Sequence, residues 1–271
     1  MNLLINEKRR RNTYFNLALE EALALQFVQS DLDFAVRFWE NSNSIILGIS
    51  DLIRKNIPPE ILSPFEESFE TSETIQTKRE IIQIARRSSG GGTVYQDHSW
   101  NLNFSFFINL KKYPEFLPIP KSYEILSGFP IRAFQNQNIE VILAGKSDLS
   151  MKIGDSILKI SGNSQFRKRD CLVHHGTLIL SQKLIEKVSS LLLHPPSEPE
   201  YRKGRSHEAF ITSLPEVFSI SKFQTDLVGI LSEKNQTKFS KGSLSFWKKI
   251  LKETYRIEVE KYRNKDFIFS R

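Results

Sequence analysis

Apolar residues recur at helical spacing between Asn16 and Gln29, at Leu17, Leu19, Ala22, Leu23, Leu25 and Phe27, with Glu20 and Glu21 between them. This pattern predicts an amphipathic helix opened by Asn16 or a polar neighbour. The period then changes. Phe34–Trp39 alternates and predicts a strand, Ser44–Ser50 predicts a second, and Glu40–Ser44 is the turn joining them. From Pro58 to Lys78 the chain is polar and reads as a short helix and an exposed loop, before Glu80–Arg87 returns to strand. Thr93–Asp97 and Asn101–Ile108 read as a hairpin pair. A helix is expected from about Ser122 despite Pro130, then a strand over Ile139–Gly145. Asp148–Phe166 suggests a hairpin turning at Gly154 and Asp155, and Thr177–Ser181 another strand. Helices follow over Leu184–Leu193, Ser206–Leu214, Ser221–Glu233 and Leu244–Tyr255. Strands fill the first two thirds and helices the last, which predicts an α+β (mixed α/β) fold with a mixed sheet flanked by helices.

Composition changes this picture little. Over 271 residues, 39% hydrophobic and 25% charged is an ordinary globular balance. The one cysteine, Cys171, excludes an intrachain disulfide, and no apolar run approaches a membrane span. The expected setting is a reducing cytoplasm, with no membrane association. A formal charge of +7 is compatible with nucleic acid, a phosphate-bearing small molecule or an acidic protein. The small basic clusters at Lys8–Arg11, Arg167–Arg169 and Arg202–Arg205 read as solvated surface.

One stretch stands apart: RRSSGGGTVYQD, Arg86 to Asp97. Three consecutive glycines carry a large entropic cost on folding. A β-bulge or tight hairpin accounts for two of them. Three after a pair of arginines point to a loop whose backbone N–H groups meet an anion, because guanidinium groups also bind phosphate and carboxylate. Neither the P-loop spacing nor the dinucleotide fingerprint fits, since a β-prone segment rather than a helix follows. A second constellation runs from Ala144 to Leu180. Lys159 stands in a strand between Leu158 and Ile160, just before Ser161-Gly162. Taken alone, that is the pattern of an outward-facing surface lysine. The adjacent His174 and His175 fall on opposite strand faces, so no protein metal site is expected from them.

Together, RRSSGGGTVYQD with NLNFSF, then GKSDL, LKISGNSQ and HHGTLIL, resemble the lipoate–protein ligase family, which shares a catalytic fold with biotin–protein ligases. NLALEEAL and VRFWENSNSIILG are similar to the family's opening helix and first strands, so the resemblance covers about residues 14 to 182. It implies one catalytic domain over 1–271, with a helical C-terminal segment from about 183. It also implies an enzyme that uses Mg2+ and ATP to form lipoyl-adenylate and passes the acyl group to a carrier lysine. Arg87, Gly90, Gly91, Gly92, Thr93, Val94 and Tyr95 would meet the nucleotide and adenylate, and Lys159 would contact both acyl carbonyl and phosphate as the catalytic residue. Asp148 would contact magnesium or nucleotide. The expected partner is a lipoyl domain of a 2-oxoacid dehydrogenase or the glycine cleavage H-protein, and not nucleic acid.

Several positions depart from the family pattern. Gln96 replaces a usual His, Lys146-Ser147 replace Arg-Asn, and Gly48–Asp51 differs from the usual Gly-x-x-Gln. The stretch after the last motif is shorter than the family's accessory C-terminal domain, so the resemblance implies a short form that needs a separate accessory protein, accepts a preformed adenylate or has drifted in substrate. The alternatives are an ATP-independent octanoyl or lipoyl transferase using Cys171 as nucleophile, or a non-catalytic acyl-adenylate binder.

Overall fold

The computed structural model describes residues 2–6, 11–68, 74–76, 81–235 and 238–270. Lys8–Arg10 of the first basic cluster, and parts of the polar stretch between Pro64 and Lys78, lie outside the described residues.

Two mixed sheets and a set of helices form the fold. The larger sheet is built from β1 (Asn2–Asn6), β2 (Phe34–Trp39), β7 (Asn101–Asn109), β8 (Ile142–Ala144), β9 (Asp148–Ile153), β10 (Ser156–Lys168), β11 (Cys171–Ile179) and β12 (Phe239–Ser240), in the order β12-β1-β2-β7-β11-β10-β9-β8. The smaller holds β3 (Ser44–Leu47), β4 (Thr74–Gln76), β5 (Ile81–Arg86) and β6 (Val94–Gln96), in the order β4-β5-β3-β6. The helices are α1 (Thr13–Gln26), α2 (Ile53–Asn56), α3 (Pro59–Ser68), α4 (Ile119–Gln135), α5 (Gln182–Leu191), α6 (His207–Phe210), α7 (Ile220–Asn235), α8 (Leu244–Ile257) and α9 (Lys265–Ile268). None of the described helices is long and apolar enough to cross a membrane.

Two pairings differ from those the periodicity suggests. β2 and β3 do not form a hairpin, nor do β6 and β7. In each case the chain crosses from one sheet to the other, and β6 runs antiparallel to β3. Short polar connections look alike whether they reverse a ribbon or change sheets, so local pattern cannot separate the two. The β9–β10 turn at Gly154 falls where expected.

Alternation along the larger sheet sorts its two faces. Phe34, Val36 and Phe38 of β2, with Leu102, Phe104, Phe106 and Ile108 of β7, pack on one side against α4 and α7. The intervening residues face α1 and the smaller sheet, and they are markedly polar: Arg37, Asn103, Ser105, His175 and Thr177. Burying polar groups is costly unless each finds a partner.

Helix α1 supplies many of those partners. It begins at Thr13 with Asn12 as its cap, so Asn16 is an interior residue rather than the cap. Thr13 to Ala24 are all buried. Asn16 accepts from the fully buried Arg37 and donates to Asn41. Glu20 takes hydrogen bonds from His175 and Ser105. Glu21 is held by Lys261 at 2.6 Å, Tyr262 at 2.6 Å, Ser88 at 2.9 Å and Lys168 at 3.0 Å.

The C-terminal helices close behind this layer. Arg86, fully buried, donates to the carbonyls of Phe267 and Ile268 at one end and of Gly48 and Asp51 at the other. It therefore serves packing and points away from any ligand. Arg202, expected on the surface, is buried with its guanidinium over Phe210.

Burial alone would raise the Glu21 carboxyl, but hydrogen bonds from Lys261 and Tyr262 and the Lys261 charge outweigh it and lower the pKa to about 2. A depressed carboxylate stabilises the fold fully above its unfolded value near 4.5 and loses that contribution as pH falls toward 2. The shift is worth about 3 kcal/mol. Melting temperature should therefore drop between pH 4.5 and 2 in the wild type. Glu21→Gln should melt lower at neutral pH and flatten that part of the profile, as scanning calorimetry would record.

Candidate active site

The glycine-rich segment leaves β5 at Arg86 and folds over the end of β3. Arg87, 8% exposed, lies beneath it. Its Nε donates to Ser89 Oγ at 3.0 Å, and one NH2 group donates to the Gly90 carbonyl at 2.6 Å and the Gly92 carbonyl at 2.8 Å. The other terminal nitrogen donates to the Ile46 carbonyl at 3.2 Å. Burial lowers this guanidinium to about 10, with Asp51 opposing the shift, so it stays charged at neutral pH. The cation thus gathers the loop's carbonyl oxygens from below.

The glycines are needed for different reasons. Gly91 sits at φ +81°, which favours glycine. A Cβ on Gly48 would lie 2.0 Å from the Gly91 carbonyl oxygen, so the loop depends on a fourth glycine outside the motif. At Gly90 and Gly92 nothing of the protein lies within 4 Å of an added Cβ. No protein atom excludes a side chain there, and the open space is that of a cavity of about 930 Å³.

This cavity gathers the two constellations separated in sequence. Arg87, Gly90, Gly91, Gly92, Val94, Asp148 and Lys159 all line it. Thr93 and Tyr95 do not line it. Tyr95 points into the core because it alternates with Val94 and Gln96 along β6, and Thr93 donates to Asp51 at 2.7 Å.

Lys159 is aimed by a β-bulge between Lys159 and Ser161, a local irregularity that redirects a side chain. Its Nζ stands 2.9 Å from Asp148 Oδ1 and about 3.0 Å from where a Gly162 Cβ would be. Gly162 therefore leaves room for the ammonium over β10. Asp148 also accepts from Tyr201 at 2.9 Å, in the 3-10 turn Glu200–Arg202 that follows the cavity-lining segment Pro195–Glu200. The outward-facing surface reading of Lys159 does not hold.

A second chain of contacts was not legible from sequence. Ser89 Oγ meets His175 Nε2 at 2.8 Å, and His175 Nδ1 meets Glu20 Oε2 at 3.0 Å. With Arg87 donating to Ser89, the helix α1 carboxylate orients the imidazole, the serine and the guanidinium in turn. His174, one residue away, is fully buried on the other face, and burial pushes it down to about 3. Among the described residues no three His, Cys, Asp or Glu side chains converge as a metal site. Cys171 is fully buried, its thiol raised by burial, and it does not line the cavity. The cysteine-transferase alternative is therefore not favoured.

Residues 12–232 match the family model of the lipoyl protein ligase A/B catalytic domain. The chain is 30% identical over 194 residues to lipoate-protein ligase A of Blochmanniella floridana, an alignment spanning 71% of this chain and 49% of that relative. It therefore spans about half the length of the curated relative it matches. Among solved structures, the bi-partite lipoate protein ligase of Thermoplasma acidophilum, studied with its E2 lipoyl domain, superposes with a TM-score of 0.74 at 18% identity, over 99% of this chain and 95% of that one. Lipoate-protein ligase A bound with ATP gives 0.68 at 18% identity, over 99% and 97%. The fold is the mixed α/β fold of these ligases. The chain belongs to the lipoyl protein ligase A/B catalytic domain family.

The glycine geometry predicts a split between fold and site. Gly48→Ala should destabilise by about 1–3 kcal/mol through overpacking against the loop. Gly92→Ala should stay within about 0.5 kcal/mol of wild type. Urea unfolding of the two variants measures the difference.

Proposed function

We propose that this lipoyl protein ligase A/B family member is an ATP-dependent lipoate–protein ligase. The carboxylate of lipoate, or of octanoate, attacks the α-phosphorus of ATP, forming an acyl-adenylate and releasing pyrophosphate. A carrier lysine amine then attacks the acyl carbonyl and expels AMP. The observation that carries this reading is the Lys159 ammonium, held by Asp148 over Gly162 in the same cavity as the glycine loop. A fixed cation there stabilises negative charge developing on both the phosphoryl and the acyl oxygens. Gly90, Gly91, Gly92 and Val94 would lie along the adenylate, with Arg87 keeping the loop in shape.

Magnesium fits as an ion carried by the nucleotide. A Mg2+ site of one carboxylate plus substrate phosphates is common, and Asp148 at the cavity wall would serve it by sharing the carboxylate that holds Lys159 and Tyr201. The ion would offset phosphate charge, while Lys159 would orient the reacting groups.

The acceptor we propose is a lipoyl domain of a 2-oxoacid dehydrogenase, or the H-protein of glycine cleavage. The Thermoplasma relative works in a lipoylation system with an E2 lipoyl domain, which supports this reading. That ligase is bi-partite, which supports a separate accessory polypeptide here too. A chain of formal charge +7 would be steered toward an acidic carrier.

Pyrophosphate release from ATP with lipoate tests the chemistry. Wild type and Cys171→Ala should both release it, while Lys159→Ala should lose a factor on the order of 10² to 10³. Full activity in Lys159→Ala would overturn the mechanism. Transfer to the carrier should slow as salt rises from 50 to 500 mM, on the order of tenfold if charge steers encounter, and a rate indifferent to salt would remove the steering.

A further inference from the structure

Two residues at the base of the glycine loop are gripped from behind by one C-terminal segment. Arg86 Nε donates to the carbonyls of Phe267 at 3.1 Å and Ile268 at 2.9 Å. Ser88 Oγ lies 2.7 Å from Lys261 Nζ, 2.8 Å from the Tyr262 hydroxyl and 2.9 Å from Glu21 Oε2. Arg87, which gathers the carbonyls of Gly90 and Gly92, stands between these two in the chain. With both neighbours fixed, the point from which its guanidinium reaches under the loop is fixed as well. The family match ends at residue 232, so the gripping segment lies beyond it.

Lys261 and Tyr262 close the π-helical turn Glu258–Tyr262, in which the Arg263 N–H reaches back five residues to the Glu258 carbonyl at 2.9 Å. Such turns are rare and recur at functional sites. Consecutive side chains on an α-helix point about 100° apart. Here two consecutive ones converge: the Lys261 ammonium and the Tyr262 hydroxyl each stand 2.6 Å from Glu21 Oε2. The ammonium also lies over the Phe267 ring. Burial, aided by the Glu21 charge, pushes the Tyr262 phenol well above its usual range, so it keeps its proton and donates. Lys261 donates to both Glu21 and Ser88, and Ser88 gives its one proton to Glu21 or Tyr262. A polar network with its donors and acceptors matched in this way specifies one arrangement.

We infer that Lys261 and Tyr262 are positioning residues for adenylation, holding the glycine loop, through Ser88, in the shape that receives the nucleotide. That the loop receives a nucleotide rests on the ligase reading; that the turn holds the loop does not. Neither residue lines the cavity, so both act by keeping the loop in one conformation. A binding-competent conformation that is only fractionally populated weakens apparent affinity by that fraction. Ser88 separates this role from simple support of the fold. Removing its hydroxyl frees the loop and leaves Glu21, Lys261 and Tyr262 bonded to one another.

Two measurements on the full chain test this together: amide hydrogen exchange across Ser89–Gly92 without ligands, and kcat/KM for ATP in pyrophosphate release with lipoate. Ser88→Ala should lower the melting temperature by no more than about 4 °C. It should nevertheless raise loop exchange, and lower kcat/KM, by about fivefold each, as the loss of one hydrogen bond implies. Ser88→Thr should restore both. Tyr262→Phe, which keeps the ring against Phe267, should move both the same way by about twofold or more. That effect should vanish in a Ser88→Ala background. Loop exchange unchanged in Ser88→Ala would overturn the inference. So would a Tyr262→Phe effect that persists in full without the Ser88 hydroxyl, which is the mark of general loosening. Faster loop exchange with kcat/KM intact in an active enzyme would overturn it too. If wild type releases no pyrophosphate yet the exchange pattern appears, the ligase reading falls and the hold of the turn on the loop stands.

Discussion

The cavity depends on a buried cation that faces inward. Arg87 contributes its charge to the carbonyl oxygens of Gly90, Gly92 and Ile46, and so fixes the curvature of a loop that three glycines would otherwise leave loose. A guanidinium can do this because its planar fork reaches several acceptors at once and holds its charge even when burial lowers it to about 10. Glycine supplies conformational freedom, and the arginine removes it again, leaving a defined surface with no side chains on it. Ser89, His175 and Glu20 extend the same restraint back to helix α1.

Helix α1 carries two adjacent carboxylates to two different tasks. Glu20 turns toward the cavity side of the sheet, and Glu21 turns toward Lys168, Lys261 and Tyr262. Both are buried and both are held below the usual carboxylate range, by His175 in one case and by Lys261 and Tyr262 in the other, against the opposing effect of burial. The helix is a buried post, with ion pairs where an ordinary surface helix would have solvent.

Much of this was legible in the sequence. The glycine run after two arginines pointed to a backbone cradle, and the motifs around Asp148 and Lys159 pointed to the facing wall; both line one cavity. Element boundaries were close where periodicity was strong, as at Phe34–Trp39. What escaped were relations between distant residues. Nothing local marks the step from Trp39 to Ser44 as a change of sheet, and nothing around Glu20 announces a histidine 155 positions later. Arg86 and Arg87 look equivalent in sequence, yet alternation at the end of β5 sends one into the core and the other beneath the loop. Gly48 gave no motif signal because its role is to leave room for another loop's carbonyl.

The clasp behind the glycine loop has a consequence for biosynthesis. Arg86 takes a carbonyl partner 182 residues later, at Ile268, and Ser88 shares a network with Lys261 and Tyr262. At ribosomal speeds of 5–20 residues per second, the loop exists for roughly 10 to 40 s before those partners are made. Throughout that interval a nascent chain carries a loop that is already synthesised but lacks its rear support. The rear support of the loop is therefore a contact of high sequence separation, made only once Ile268 has been synthesised.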